Sequence, residues 1–318
     1  FIKYWGDRER ALRLPANGSI SMNLDGLYTR TRVSFNPHLE VDELTINGQA
    51  QRGQALERVS SLLDHVRHMA RMNHRAQVTS ENNFPMGTGI ASSASAFAAL
   101  ALAASQAAGM QLDESQLSRL ARTGSGSACR SIPAGFVEWL AGNSDKSSYA
   151  VSLWPADHWE LVDCIAIISR QHKSTVSKQG HLLASTSPLQ AARVADAPRR
   201  LELCRRALQT EDIELLAQVV EQDSDMMHSV MMTSTPALHY WQPATLRVME
   251  AVRIWRKNSW PVFYTVDAGP NVHVLCLSSH VDQVVSGLAQ IPDVNQVLVA
   301  SPGGAARIEP EATLSTLD

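Results

Sequence analysis

The sequence has 318 residues, 44% of them hydrophobic and 19% charged, the balance of an ordinary globular protein with room for two domains or one large α/β body. With 28 Lys+Arg against 31 Asp+Glu, the net charge is −3. That excludes a global electrostatic reason to bind nucleic acid or an anionic membrane, and leaves open a local basic site for a small anion.

Leu12 to Leu24 and Tyr28 to Phe35 read as a hairpin joined at Asp25-Gly26, a good turn pair. Glu43 to Asn47 is a short strand ending at Asn47-Gly48. Leu56, Val59, Leu62, Leu63, Val66 and Met69 recur at helical spacing within Gln54 to Met72. Gln77 to Ser80 reads as a strand. A Gly- and hydroxyl-rich stretch then leads into an Ala-rich helix from about Ser93 to Met110. Asp113 is the expected N-cap of a second helix, Glu114 to Arg122, which runs into a turn of small residues from Thr123 to Ser131. Strands at Tyr149 to Trp154 and Leu161 to Ser169 open the second half. Helices follow at about Pro188 to Leu208, Ile213 to Met232 and Pro243 to Lys257. Val262 to Asp267 and Val272 to Leu277 are apolar runs broken by Ala268-Gly269-Pro270-Asn271, and Val297 to Ala300 is a last strand.

Composition turns polar at Gly142 to Lys146, which predicts two lobes, 1–145 and 146–318. The order of elements predicts an α+β fold with a cleft between the lobes. No apolar run approaches the roughly 20 residues that span a bilayer. The chain opens at Phe1 with no Met and no charged n-region, so no signal peptide is visible, and it reads as a fragment lacking a few residues in front. Cys129, Cys164, Cys204 and Cys276 are widely spaced, which fits reduced thiols in the cytoplasm rather than disulfides or a zinc site.

The segment Pro85 to Ser95 carries the best local signal. A glycine-rich turn through Gly87 and Gly89, feeding a helix start, points backbone N–H groups and the helix dipole at one spot, which suits a phosphate. Ser92, Ser93 and Ser95 add hydroxyls, and Ser93 is a candidate ligand for Mg2+. The segment is not a Walker loop, since no Gly-Lys-Ser/Thr is present, and lacks the acidic residue of a dinucleotide fingerprint. The same pattern also fits a capped helix packed closely through Gly and Ala. Arg130, after a run of small residues, suits bidentate grip on a carboxylate; closing a helix C-terminus serves as well. Asp267 ends an apolar strand at a tight turn, a common mounting for a catalytic carboxylate, and equally the place of an Asp that opens a turn. His228, His239 and the other histidines have no metal-ligand spacing and read as surface or satisfied core residues.

Five blocks, taken in order, resemble the mevalonate diphosphate decarboxylase family of the GHMP kinase fold. They are Lys3-Tyr4-Trp5-Gly6, Leu14 to Ser21, Asn82 to Ser95, Gly124 to Ser131 with its Ser125-Gly126-Ser127-Ala128-Cys129-Arg130 core, and Val266-Asp267-Ala268-Gly269-Pro270-Asn271. The resemblance implies a two-lobed GHMP kinase-like fold with the active site in the cleft, and an ATP-dependent decarboxylase. ATP would phosphorylate the 3-hydroxyl of a 5-phosphorylated mevalonate; the 3-phosphate would then leave with loss of CO2. By match, Asp267 orients or deprotonates the hydroxyl beside Lys3, and Arg130 holds the substrate carboxylate. Tyr4, Ser125, Ser127, Ser177 and Lys178 face the substrate. Gly87, Gly89, Ser92, Ser93 and Ser95 face the ATP phosphates, with Mg2+ bridging them.

Two departures bear on the substrate. Where the family usually has a Lys after its Lys-Tyr-Trp-Gly, this chain has Asp7. Where it usually has a Ser-Arg pair before Gly-Met, this chain has Ser177-Lys178-Gln179-Gly180. A carboxylate at the first position repels a terminal phosphate, and Lys178 offers a point charge without the Arg fork. Both favour a 5-monophosphate over a 5-diphosphate, provided that Asp7 does not turn away to pair with Arg8 or Arg10. A diphosphate-specific decarboxylase, and a mevalonate 3-kinase that stops at phosphorylation, are the alternatives; Arg130 within its intact block argues against the kinase. The partner is a small molecule, and a homodimer is the default expectation for the assembly.

Overall fold

The computed structural model describes residues 1–84, 92–170 and 177–310. An extended opening segment bridges Ile2 to Ile20 and leads into β1 (Asp7–Glu9), β2 (Leu14–Pro15), β3 (Ser19–Met22) and β4 (Thr29–Asn36). β5 (Glu43–Ile46) and β6 (Gln49–Gln51) form a hairpin through Asn47 and Gly48, both at the positive φ that such a tight turn requires. α1 (Gln54–Ala70) buries Val59, Leu62, Leu63 and Val66 along one stripe. β7 (Arg75–Asn82), α2 (Ser92–Ala107) and α3 (Glu114–Gly124) follow. α3 opens on a capping box between Asp113 and Gln116, which satisfies its first orphan N–H groups. Next come β8 (Phe136–Trp139), β9 (Ala150–Trp154), β10 (Leu161–Ile167), α4 (Ser177–Leu183), α5 (Gln190–Thr210), α6 (Ile213–Met232) and α7 (Pro243–Lys257). β11 (Val262–Val266), β12 (Val272–Leu277), α8 (Val281–Ala289) and β13 (Gln296–Ala300) complete the described elements.

The larger sheets run β4-β7-β5-β6, β3-β8-β9 and β11-β12-β10-β13, and β1 pairs with β2 alone. The mixed α+β class matches the expectation. α1 and α2 cover the first sheet through Leu62, Leu63, Val66 and Ala101, and α3 packs on them through Leu117, Leu120 and Ala121. On the last sheet, Val262, Tyr264 and Val266 meet α7 and α8 on one face. On the other, Phe263 and Leu275 join Leu208 of α5, Leu216 and Val220 of α6, and Phe1 and Ile2 of the opening segment. Period-two alternation with apolar residues on both faces explains why β11 and β12 read as continuous apolar runs. The opening segment is thereby pinned against α5 and α6, which matters for the site below.

The hairpin expected through Asp25-Gly26 does not form. β3 pairs with β8, Ser19 opposite Trp139, and β4 pairs with β7, Thr29 opposite Asn82. β3 begins on two buried residues, whereas β4 has only partly buried or exposed ones, so the two strands suit sheets with different surroundings. A good turn pair permits a hairpin but does not outweigh such burial. Among the described residues no helix is long and apolar enough to cross a membrane. All four cysteines are free and buried.

Candidate active site

β11 delivers Asp267 just past its last residue, where the chain turns back into β12. That turn is fixed from both ends. The Gly269 N–H donates to the Asp267 carbonyl at 2.7 Å, and Asn271 Oδ1 accepts from the Ile168 and Ser169 N–H groups at 2.8 and 3.0 Å. The Asp267 carboxylate is therefore not spent on opening the turn; its Oδ1 accepts from Lys3 Nζ at 2.6 Å. The Lys3 side chain is 10% exposed and that of Asp267 33%, so the carboxylate side of the pair is reachable from solvent. Burial pushes the Asp267 carboxyl up, but the Lys3 ammonium and then His273 outweigh it and hold it well below the usual carboxylate range. Burial also disfavours charge on His273, yet Asp163, whose Oδ2 lies 2.7 Å from Nδ1, raises its pKa.

Arg130 rises from the 3-10 turn Gly126–Ser131. Its Nε donates to Ser21 Oγ at 2.8 Å and its Nη1 to Ser19 Oγ at 2.6 Å. Both serines sit on β3, two residues apart and so on one face. Its side chain thus runs to β3 rather than back to the end of α3, and among the described residues no carboxylate pairs with it. Two neutral hydroxyls fix the plane of the guanidinium without cancelling its charge. That leaves a fork for a carboxylate from outside.

The Tyr4 ring lies between Trp139, edge-on at 4.7 Å, and His181, stacked at 4.2 Å. Gly126 backs it so closely that a Cβ there would come within 2.7 Å of its ring and hydroxyl. The Tyr4 hydroxyl donates to Asp7. Burial raises the Asp7 pKa, against the pull of the Tyr4 bond, Arg13 and Arg10. Among the described residues Asp7 forms no ion pair with Arg8 or Arg10, and Arg8 turns to the Gly142 carbonyl at 2.5 Å. A cavity of about 350 Å³ opens beside Asp7, with Gly6, Arg10, His181 and Gln190 in its wall.

Gly87 and Gly89 fall within 85–91, outside the described residues. Ser92 opens α2. Ser93 Oγ lies 3.3 Å from Ser125 Oγ, which joins the start of α2 to the end of α3. Ser127 is half-buried in the 3-10 turn that follows. Ser95 is not brought to this junction. Positions two apart on a helix do not share a face, and Ser95 instead donates to Thr29 Oγ1 on β4 at 2.8 Å. Ser177 and Lys178 begin α4, but their side chains lie outside the described residues.

Several supporting residues escape a reading of the sequence. Ser19 and Ser21 lie inside a quoted block, and their alternation on a strand was the available signal. Asp223 sits on the buried stripe of α6 with Leu216, Val220 and Met227; a carboxylate on such a stripe marks a buried partner. His228 is a satisfied core residue, its Nε2 3.2 Å from the Val266 carbonyl, and His239 is exposed.

Residues 1–150 match the family model described as the diphosphomevalonate decarboxylase-like N-terminal domain, and residues 164–308 match the mevalonate 5-diphosphate decarboxylase C-terminal domain. The crystal structure of mevalonate diphosphate decarboxylase from Staphylococcus aureus is 39% identical, covers 97% of this chain and 94% of its own, and superposes with a TM-score of 0.92. MDDEF in complex with MVAPP, AMPPCP and magnesium is 36% identical over 96% of this chain and 94% of its own, with a TM-score of 0.90. Phosphomevalonate decarboxylase from Haloferax volcanii is 32% identical over 91% of this chain and 88% of its own. The fold is that of the GHMP kinase-like decarboxylases, and by both halves of its length the chain belongs to the diphosphomevalonate decarboxylase family.

Proposed function

We propose that this protein is an ATP-dependent decarboxylase of mevalonate 5-phosphate that yields isopentenyl phosphate for isoprenoid synthesis in the cytoplasm. The coarser part, ATP-dependent decarboxylation of a phosphorylated mevalonate, is the reaction of the family. The choice of the monophosphate is carried by one observation: Asp7 accepts the Tyr4 hydroxyl at the edge of the cavity. A second phosphate reaching that end meets a carboxylate where the family usually has a Lys, and a phenol whose proton is already committed. The Haloferax relative is named for the monophosphate. Four buried, unpaired thiols suit a reducing compartment.

In this reading Asp267, kept ionised by Lys3, accepts the proton of the 3-hydroxyl as that oxygen takes the γ-phosphoryl group of ATP. A carboxylate with a low pKa is a weak base, but phosphoryl transfer depends mainly on positioning and charge stabilisation. The 3-phosphate then departs with the C–O bonding pair and leaves C3 electron-deficient. Arg130 holds the substrate carboxylate so that the C–C pair released with CO2 forms the alkene; no electron sink is needed. Tyr4, Ser125 and Ser127 are assigned to the substrate side, and by the family resemblance Ser177 and Lys178 to the 5-phosphate. Ser92 and Ser93 are assigned to the nucleotide, as are Gly87 and Gly89 by the family resemblance. Among the described residues no group of three His, Cys, Asp or Glu could hold a metal. Mg2+ would be held with the ATP phosphates, with the Ser93 hydroxyl as a candidate protein ligand of the hard-oxygen type it prefers, and would supply neutralisation of phosphate charge.

The test is an ATP-coupled assay with mevalonate, its 5-phosphate and its 5-diphosphate, scoring ADP and CO2 separately. A higher kcat/KM on the 5-phosphate, with both products in equal amount, is expected. A clear preference for the diphosphate supports the second reading, favoured by the S. aureus and MDDEF names. ADP without CO2 returns the protein to the kinases.

A further inference from the structure

Lys3 and Asp267 come from positions 264 residues apart, and a single turn of α6 touches the backbone of Lys3 and that of Val266, the residue just before Asp267. Asp223 Oδ2 accepts the Lys3 N–H at 2.7 Å. The adjacent Ser224 holds the end of β11: its Oγ accepts from the Val266 N–H at 3.0 Å and lies 3.4 Å from the Val266 carbonyl. The remaining backbone group of Lys3, its carbonyl, accepts from Arg193 Nη2 at 2.8 Å and Asn17 Nδ2 at 3.1 Å. Arg200 Nε donates to the second oxygen of Asp223 at 2.8 Å, and Arg200 Nη1 donates to Asp196 at 2.7 Å. Asp223, Ser224 and Arg200 are fully buried and Arg193 nearly so.

A buried ion cluster is a poor device for stability, because well-packed apolar side chains often do as well or better. What it supplies is direction. Apolar burial does not specify the angle at which a chain lies, whereas opposed hydrogen bonds to the N–H and C=O of one residue do. The two arginines and two aspartates here balance in charge, and two of them, Asp223 and Arg193, hold the N–H and the C=O of one backbone unit, that of Lys3.

We propose that the Asp223-Ser224 step of α6, with Arg193, is a positioning device that sets the distance between the Lys3 ammonium and the Asp267 carboxylate. Asp223 touches no substrate in this scheme and acts through Lys3. The proposal rests on the roles given to Lys3 and Asp267 above. Its physical consequence is specific: when Lys3 backs away, burial dominates at Asp267 and its carboxyl titrates higher.

The experiment is a carbon-13 NMR titration of the aspartate carboxyls in the full chain, with Asp267→Asn for assignment. Wild type is compared with Lys3→Met, Asp223→Asn and Ser224→Ala, and thermal melts are recorded alongside. Lys3→Met should raise the Asp267 titration most. Asp223→Asn and Ser224→Ala should raise it in the same direction by about half a unit or more, within the range that a neighbouring charge commands. With whichever mevalonate phosphate the wild type turns over, kcat should fall about ten- to a hundredfold with KM little changed, as for a small misplacement of reacting groups. An Asp267 titration identical to wild type, alongside a lowered melting temperature, overturns the proposal in favour of a purely structural cluster. Should Asp223→Asn fail to fold, the milder Ser224→Ala decides by the same criterion. A wild type inactive on every mevalonate substrate sinks the functional reading, while the titration still decides the positioning device.

Discussion

Arg130→Lys keeps the positive charge of the side chain but replaces five fixed donors by one ammonium. It cannot reach Ser19 and Ser21 together and still present a planar edge to a carboxylate. CO2 release should fall about a hundredfold, the scale of a lost alignment, with weaker substrate binding and ATP binding retained. Kinetics like those of wild type would assign Arg130 to packing alone. Asp267→Asn preserves shape and removes the anionic acceptor, so turnover should drop by about 10²–10⁴-fold. A purified variant that keeps more than about a tenth of wild-type turnover excludes the carboxylate from the chemistry. At the opposite end of the site, Asp7→Lys exchanges repulsion for attraction. Each 1.4 kcal/mol of that change is a factor of about ten in specificity. Competition between the two mevalonate phosphates should therefore shift at least tenfold toward the diphosphate, and an unmoved ratio separates Asp7 from substrate choice. Asp267, Lys3 and Arg130 could be singled out because each sits in a short block that resembles the family. The residues that hold them could not: Asp223 and Arg193 lie 220 and 190 positions from Lys3, and no local pattern reports a contact of that range.

At the scale of elements, the helices were the most legible, since each owes its burial to one stripe. α6 and α7 fall where the apolar spacing put them. β8 was not foreseen. Its four residues, Phe136 to Trp139, are all buried, so neither alternation nor length marks them. α8 carries Val281, Val284, Val285 and Leu288, a helical spacing that was readable but short. α6 also gives a prediction about pH. Burial holds the His228 imidazole down to about 4, from an ordinary value of 6.5. Between those values the unfolded chain binds the extra proton and the folded chain does not, so stability falls as pH drops through that window. By pH 4 the loss from this one group is on the order of 3 kcal/mol. Urea melts from pH 7 to pH 4 should show it, and His228→Gln should flatten that part of the curve. Parallel curves for the two proteins would remove His228 as the cause.

Across the whole molecule, two facts bear on how the site comes into being. Phe1 and Ile2 pack with α5 and α6 in one cluster, and β10 lies between β12 and β13, both made long after it. Contacts of this separation are slow to form, because loop closure comes before any gain from them. At about 5–20 residues per second, the ribosome adds Asp267 roughly 13–50 s after Lys3. For that interval Lys3 exists without its carboxylate partner, and Arg130, added about halfway through it, has no Asp267 to work with. A nascent or prematurely released copy thus lacks the Lys3-Asp267 pair to which the proposed reaction is assigned. On the role proposed for Asp267, synthesis itself is the safety catch: a chain truncated before that residue should spend no ATP on mevalonate phosphates, which an ATPase assay of such a fragment checks.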